Sequence, residues 1–211
     1  MDAIEQRTEA WHSLRLGKVT ASRVADVLAK TKTGYSASRA NYMAELVAER
    51  LTGSATEFFV SDAMRRGTEL EPVARECYSF ATGHSVTEIA FVPHPTIAMA
   101  GASPDGLIGA DGLVEIKCCG TARHIELLTG SAPEDKYRKQ VLWQMACTGR
   151  QWCDLAYYDP RLPVEMQLHV VRIERDNAAI AEMEVEVSAF LAEVEAKVTS
   201  LRDRFPLAEA A

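Results

Sequence analysis

The apolar positions of this chain change period several times, and each change marks a new kind of element. The N-terminal third repeats at helical spacing. Thr8 is placed to cap a short helix through Trp11 and Leu14 that Gly17 ends. Thr20 or Ser22 is placed to cap a second, with Val24, Val27 and Leu28 on one face. A third helix is predicted over 36–51, with Met43, Leu46, Val47 and Leu51 as its stripe and Gly53 just beyond. A fourth is predicted over 69–81, burying Leu70, Val73, Cys77 and Phe80 and stopping at Gly83.

The middle of the chain turns to short runs suited to strands. Residues 86–92 and 97–102 are set off by Pro93 and Pro95, and 107–108 and 113–118 read as a hairpin around the Asp111-Gly112 turn. Helical spacing returns over 121–128 and 134–148. Strands 152–158 and 166–173 follow, joined by Asp159-Pro160-Arg161, and a long amphipathic helix runs over 177–204. No repeat or linker interrupts this order, which predicts a layered α/β or α+β fold with 1–211 as a single domain.

Composition narrows the setting. The 211 residues are 47% hydrophobic and 25% charged, enough for one sizeable core. The polar, acidic opening MDAIEQRTEAW lacks the apolar run of a secretory signal, and no stretch approaches the ~20 apolar residues of a membrane span. Cys77, Cys118, Cys119, Cys147 and Cys153 form an odd set without CxxC spacing. They read as free thiols rather than a disulfide scaffold or an iron–sulfur site, and the expected location is the cytoplasm, with no membrane partner. The five histidines show no paired spacing for zinc.

A net charge of −7 argues against a nucleic-acid partner until its distribution is read. Residues 15–39 carry Arg15, Lys18, Arg23, Lys30, Lys32 and Arg39 against one acid, Asp26. From Glu165 onward there are ten acids and five bases. The N-terminal part is therefore expected to turn a positive face to phosphate, with the acidic C-terminal helix held away from it.

The chemistry concentrates in Ser103-Pro104-Asp105-Gly106, the hairpin, and Glu115-Ile116-Lys117. Side chains alternate along a strand, so Glu115 and Lys117 project to one side while Ile116 enters the core. Asp105 reaches that same side across the sheet. Hard oxygen ligands of this kind suit Mg²⁺ or Mn²⁺, with the Ile116 carbonyl as a further donor. Lys117 is placed to orient an attacking water and offset charge on phosphorus oxygens. The spacing is that of metal nucleases, PD…(D/E)xK. An ExK on a strand is by itself usually a solvated face; here Glu71 precedes it on a helix, and Gln140 and Gln144 follow on another.

With these residues assembled, nearly the whole chain resembles the phage recombination exonucleases typified by lambda exonuclease, a branch of the PD-(D/E)XK nucleases. The resemblance rests on Trp11-His12-Ser13-Leu14-Arg15-Leu16-Gly17-Lys18-Val19-Thr20-Ala21-Ser22, on Gly67-Thr68-Glu69-Leu70-Glu71 and on Ser103-Pro104-Asp105-Gly106. It continues through Glu115-Ile116-Lys117-Cys118, Tyr137-Arg138-Lys139-Gln140-Val141 and Tyr158-Asp159-Pro160-Arg161, all in the family's order. It implies a restriction-endonuclease-like core, a mixed sheet flanked by helices, with extra N-terminal helices and a long C-terminal helix.

The roles it implies are specific. Asp105 and Glu115 bind metal with the Ile116 carbonyl, and Glu71 serves a second ion or its waters. Lys117 is the catalytic lysine, Gln140 positions the nucleophile or the scissile phosphate, and Arg15 and Ser22 hold a terminal 5′-phosphate. The implied activity is Mg²⁺- or Mn²⁺-dependent 5′→3′ hydrolysis of double-stranded DNA from its ends, leaving 3′ overhangs for a single-strand annealing protein. A homotrimeric ring is implied as well. Two features depart from the family: Gln144 stands where a closer second glutamine is usual, and Cys119 where proline is frequent. Met64 lies where the family places an apolar wedge, though ordinary helix packing is the expectation from sequence. Trp143 and Trp152 are expected in the core or at a subunit contact. The competing readings are a structure-selective or single-strand endonuclease on the same core, and a catalytically inactive module that binds DNA ends.

Overall fold

The computed structural model describes residues 4–56 and 60–206. Thr8 opens helix α1 (Glu9–Arg15), its hydroxyl accepting from the Trp11 N–H. Strand β1 (Val19–Thr20) runs through a 3₁₀ turn into α2 (Val24–Val27), where Thr20 makes no capping bond. The hairpin β2 (Lys30–Thr31) and β3 (Gly34–Tyr35) precedes α3 (Ala37–Thr52), closed by Gly53 at φ 70°. Ser61 caps α4 (Asp62–Thr82) by accepting from the Met64 N–H. Short strands follow: β4 (Val86–Thr87), β5 (Val92–Pro93), β6 (Ala100–Ala102), β7 (Gly106–Ile108) and the longer β8 (Gly112–Lys117). Then come α5 (Thr121–Leu128), α6 (Asp135–Thr148), β9 (Trp152–Tyr158), β10 (Leu168–Glu174) and α7 (Asn177–Arg204).

The main sheet has the order β10-β9-β8-β7-β4, with β8 and β9 parallel and the other pairs antiparallel. A smaller sheet, β1-β6-β5, lies beside it. One face of the main sheet, through Leu113, Leu155 and Tyr157, packs on a core that includes Trp143, Tyr42, Leu46 and Phe190. The other face, through Val114, Ile116, Ala156 and Tyr158, packs on Ala74 and Tyr78 of α4. The mixed α/β layering and the long C-terminal helix are as the sequence predicts. No helix among the described residues is long and apolar enough to cross a membrane.

Four expectations need correction. Helix α4 begins at Asp62 rather than Glu69 and is rotated: it buries Glu71, Ala74 and Tyr78, leaving Val73 45% and Phe80 94% exposed. The reason is polar. The Tyr78 hydroxyl donates to Asp154 Oδ2 at 2.6 Å, and Arg172 grips the same carboxylate at 2.7 and 2.9 Å, so the tyrosine side must face the sheet. The hairpin reverses through Gly109 at φ 49°, while Gly112 already belongs to β8. A Cβ at Gly112 would stand 2.2 Å from the Trp152 ring, so glycine there serves packing rather than the turn. Pro93 is the last residue of β5 instead of standing beyond the strand, at a sheet edge where its missing N–H need break no ladder.

The fourth correction concerns charge. The acidic helix α7, expected to stay away from phosphate, packs on the basic segment that was to face it. Lys30 pairs with Glu186 at 2.6 Å, and Arg39 grips Glu193 at 2.7 and 3.0 Å. Arg23 is taken by Asp26 and Glu45. Helices α3 and α7 bury apolar faces on each other, with Tyr42 stacked on Phe190 at 5.8 Å, and that packing brings the charged rims together. The charge of Arg23, Lys30 and Arg39 is thus neutralised within the fold.

Candidate active site

A cleft of about 580 Å³ opens between the N-terminal segment, α4, the β7–β8 hairpin and α6. Arg15, Ser22, Glu71, Asp105, Glu115, Ile116, Lys117 and Gln140, every site residue drawn from the sequence, line it. Met64, expected to pack internally, is 49% exposed at its edge, because α4 starts early enough to overhang the opening.

Strand alternation on β8 does the central placing. Glu115 and Lys117 face α6, and Ile116 enters the opposite core. Lys117 Nζ donates to Glu115 Oε1 at 2.7 Å and to Gln140 Oε1 at 3.3 Å. Gln140 Nε2 donates to Glu115 Oε1 and Gln144 Nε2 to Glu115 Oε2, each at 2.6 Å. Gln144, whose part was open from sequence, therefore fixes the second carboxylate oxygen from one helical turn further along. Across the hairpin, Asp105 Oδ2 accepts the Ile116 N–H at 2.7 Å. The Ile116 amide thus ties Asp105 to strand β8 beside Glu115.

Burial, and after it the charges of Glu115 and Glu71, push the Asp105 carboxyl well above the usual carboxylate range, only partly opposed by Lys117. Burial alone would lower the Lys117 ammonium, but Glu115 and Asp105 more than offset it and raise it above its ordinary value. Beside these carboxylates Lys117 is held as a charged hydrogen-bond donor. As they stand, no three His, Cys, Asp or Glu side chains among the described residues form a group able to hold a metal ion. The donor chemistry nevertheless fits one. Three carboxylates line one cleft, all oxygen donors, and the crowding of their charge at Asp105 is what a hard divalent cation relieves.

The opposite wall carries a cation of a different kind. Arg15 lies 3.9 Å over the Trp11 ring and donates to Ser103 Oγ at 3.1 Å, so that among the described residues it is held by these neutral groups and not by a carboxylate. Trp11 Nε1 also donates to Ser103 Oγ, at 3.0 Å. Burial pulls the Arg15 guanidinium down to about 10, against the opposing pull of Tyr42 and Glu49. A desolvated cation facing a cleft is a seat for an anion. Sequence reasoning did not single out Ser103, Tyr137, whose ring centroid lies 4.7 Å from Lys117 Nζ, or Arg7. Ser103 was legible as part of the Ser-Pro-Asp-Gly run; nothing in the pattern marked Arg7.

Residues 10–151 match the YqaJ-like viral recombinase domain. The chain belongs to this family. An alkaline exonuclease, LHK-Exo from Laribacter hongkongensis, is 58% identical to this YqaJ-like chain, with a TM-score of 0.87 over 93% of this chain and 97% of the other. LHK-Exo in complex with dAMP matches equally well. A phage related exonuclease from Haemophilus somnus 129PT, 15% identical, shares the fold at a TM-score of 0.69 over 89% and 98% of the two chains. No curated protein matches the sequence. The resemblance read from the motifs is upheld, with the PD-(D/E)XK-like fold it implied: this YqaJ-like protein is a homologue of a nuclease.

Proposed function

We propose that this chain is a divalent-metal-dependent 5′→3′ exonuclease that removes mononucleotides from the ends of double-stranded DNA. One observation carries the reading: the desolvated Arg15 with Ser22 and the group Asp105, Glu115, Lys117 and Gln140 line the same cleft. A strand end whose 5′-phosphate sits at Arg15 presents a nearby phosphodiester to Lys117, and this supports digestion from the 5′ end. The exonuclease relatives support it, as does the half-exposed Met64 at the cleft edge, suited to press on the terminal base pair.

Asp105, Glu115, the Ile116 carbonyl and Glu71 are the donors for Mg²⁺ or Mn²⁺. When bound, such an ion supplies charge neutralisation at the phosphate and lowers the pKa of water. Lys117 donates to the oxygens on which charge develops during in-line hydrolysis, Gln140 orients the groups around Glu115, and Gln144 holds Glu115 in place. The protein acts in the cytoplasm and delivers 3′ overhangs to a single-strand annealing protein. It works as a ring of three copies around DNA; light scattering giving a mass near 23.2 kDa, one chain, would refute the ring. The chain 1–211 serves as a single nuclease domain. A linear duplex labelled at its 5′ or its 3′ end, with Mg²⁺ or with chelator, tests the activity. Mg²⁺-dependent early release of the 5′ label as mononucleotide is expected. Internal fragments or cut circles would indicate an endonuclease, and end binding without release an inactive module.

A further inference from the structure

The segment that precedes α1 is built into the cleft. Gln6 Nε2 donates to the Ile89 carbonyl at 2.8 Å and to the Pro104 carbonyl, next to Asp105, at 2.9 Å. The next residue, Arg7, has φ 71°, and among the described residues it is the one non-glycine with positive φ. A residue with a Cβ is strained in that region, and such strain persists where surrounding contacts impose it. Here it aims the Arg7 guanidinium at Glu71 Oε2.

Glu71 therefore carries two guanidiniums, and they are unlike. Arg75 holds Oε1 at 2.9 Å, is also tied to Glu88, and is 16% exposed. Arg7 holds Oε2 from a side chain 45% exposed to solvent. Arg75 is part of the helix surface; Arg7 is the exchangeable partner. With both of its oxygens engaged, Glu71 is not free to act as a ligand beside Asp105 until one of the two guanidiniums leaves.

We propose that Arg7 is a resident counter-ion of Glu71 that a divalent cation must displace, a positioning residue that sets the cation concentration at which the cleft is loaded. The proposal rests on the reading of Asp105, Glu115 and Glu71 as the metal donors. A guanidinium and a hard cation compete for the same oxygen, Oε2, and both carry positive charge, so they exclude each other there. Arg7 keeps a buried carboxylate paired when no ion is present and yields it when one arrives.

Mg²⁺ binding to the full chain, measured by calorimetry without DNA, tests this independently of turnover. R7A and R7G should each lower the Mg²⁺ dissociation constant about two- to fivefold, the effect of removing one half-exposed competing ion pair. R7G should additionally melt higher than R7A, since glycine is at ease at φ 71°. Unchanged or weaker Mg²⁺ binding by R7A overturns the proposal, and tighter binding by R7G alone assigns the effect to backbone strain and overturns it too. D105N separates the two levels. Wild type that takes up no Mg²⁺ defeats the metal site and Arg7's role with it; uptake that D105N abolishes but R7A leaves unaltered defeats only the role of Arg7.

Discussion

Helices α4 and α6 both bring polar side chains to the cleft, and they do it in opposite ways. Helix α6 is enclosed: every residue from Gln140 to Cys147 is buried, so Gln140 and Gln144 sit inside a wall of apolar neighbours and point at Glu115. Helix α4 lies at the surface, turns Glu71, Ala74 and Tyr78 inward, and leaves Val73 and Phe80 to solvent. In α6, apolar packing fixes the helix and the glutamines are carried along. In α4, buried polar bonds fix the rotation and apolar side chains are exposed to satisfy them. An unpaired buried polar group costs about 1–3 kcal/mol, comparable to what burying one more apolar side chain supplies, so the polar bonds can decide the rotation.

The enclosed side should be the less forgiving. D105A, E115A and K117A should each reduce release of nucleotides from duplex ends by at least ~10²–10³-fold, the usual loss when one charge-stabilising group is removed. They should differ in Mg²⁺ binding, which the two acids support and K117A leaves largely intact. Q144L should give a smaller, kcat-dominated loss, because Gln144 reaches the chemistry only through Glu115. Wild-type-like turnover by K117A would undo the assignment of the whole group.

Across the cleft, R15A should affect choice of end more than chemistry. Charge-assisted hydrogen bonds are worth about 1.5–3 kcal/mol, so wild type should prefer 5′-phosphorylated over 5′-hydroxyl ends by roughly tenfold or more, and R15A should erase most of that preference. Competition between the two substrates reads it directly. Equal wild-type rates on both ends would leave Arg15 with its Trp11 and Ser103 contacts and nothing more.

These contrasts bear on what a sequence discloses. Helix α6 was predicted within a residue of Asp135–Thr148 and α7 as Asn177–Arg204, because long periodic runs with clear stops leave little freedom. The Asp105, Glu115 and Lys117 cluster was legible because strand alternation is rigid, and the family motifs supplied Glu71, Arg15 and Ser22. The rotation of α4 was not. Leu70, Val73, Cys77 and Phe80 form a good apolar stripe, and only Asp154, far along the chain on β9, reveals that Tyr78 is the residue that must face inward. The pairing of Lys30 and Arg39 with α7 was hidden for the same reason, since segment charge says nothing about which distant acids will lie opposite.

Smaller effects probe the acid cluster and the α4 rotation by stability. Y78F removes the donor to the buried Asp154 and should cost about 1–3 kcal/mol in chemical denaturation. D105N should act the other way in chelator. Asp105 has a folded-state pKa raised by burial and by its acidic neighbours, so its neutral form is favoured in the fold. Asp105 therefore costs wild type stability as pH rises above the ordinary value of 3.8 and on through the raised folded pKa, a contribution that D105N lacks. At pH 8 the variant should melt about 2–4 °C higher, the shift ~1 kcal/mol produces in a domain of this size, with the gain vanishing near pH 4. A D105N that melts lower than wild type at pH 8 would mean that the Asp105 carboxylate is stabilised rather than crowded.

The smallest effect is the sharpest test of the α4 rotation. Read from periodicity, Phe80 is a core residue, and replacing a core phenylalanine with a small side chain costs about 3–5 kcal/mol. Phe80 is instead 94% exposed at the outer end of α4, with Tyr78 turned in beside it. F80S should therefore change stability by no more than about 0.5 kcal/mol, within the range of ordinary surface substitutions. The two accounts differ by several kcal/mol at one position, well beyond the error of a urea titration. A loss near the core value would return α4 to its apolar stripe, and Glu71 would then have to leave the cleft, taking the Arg7 contact with it.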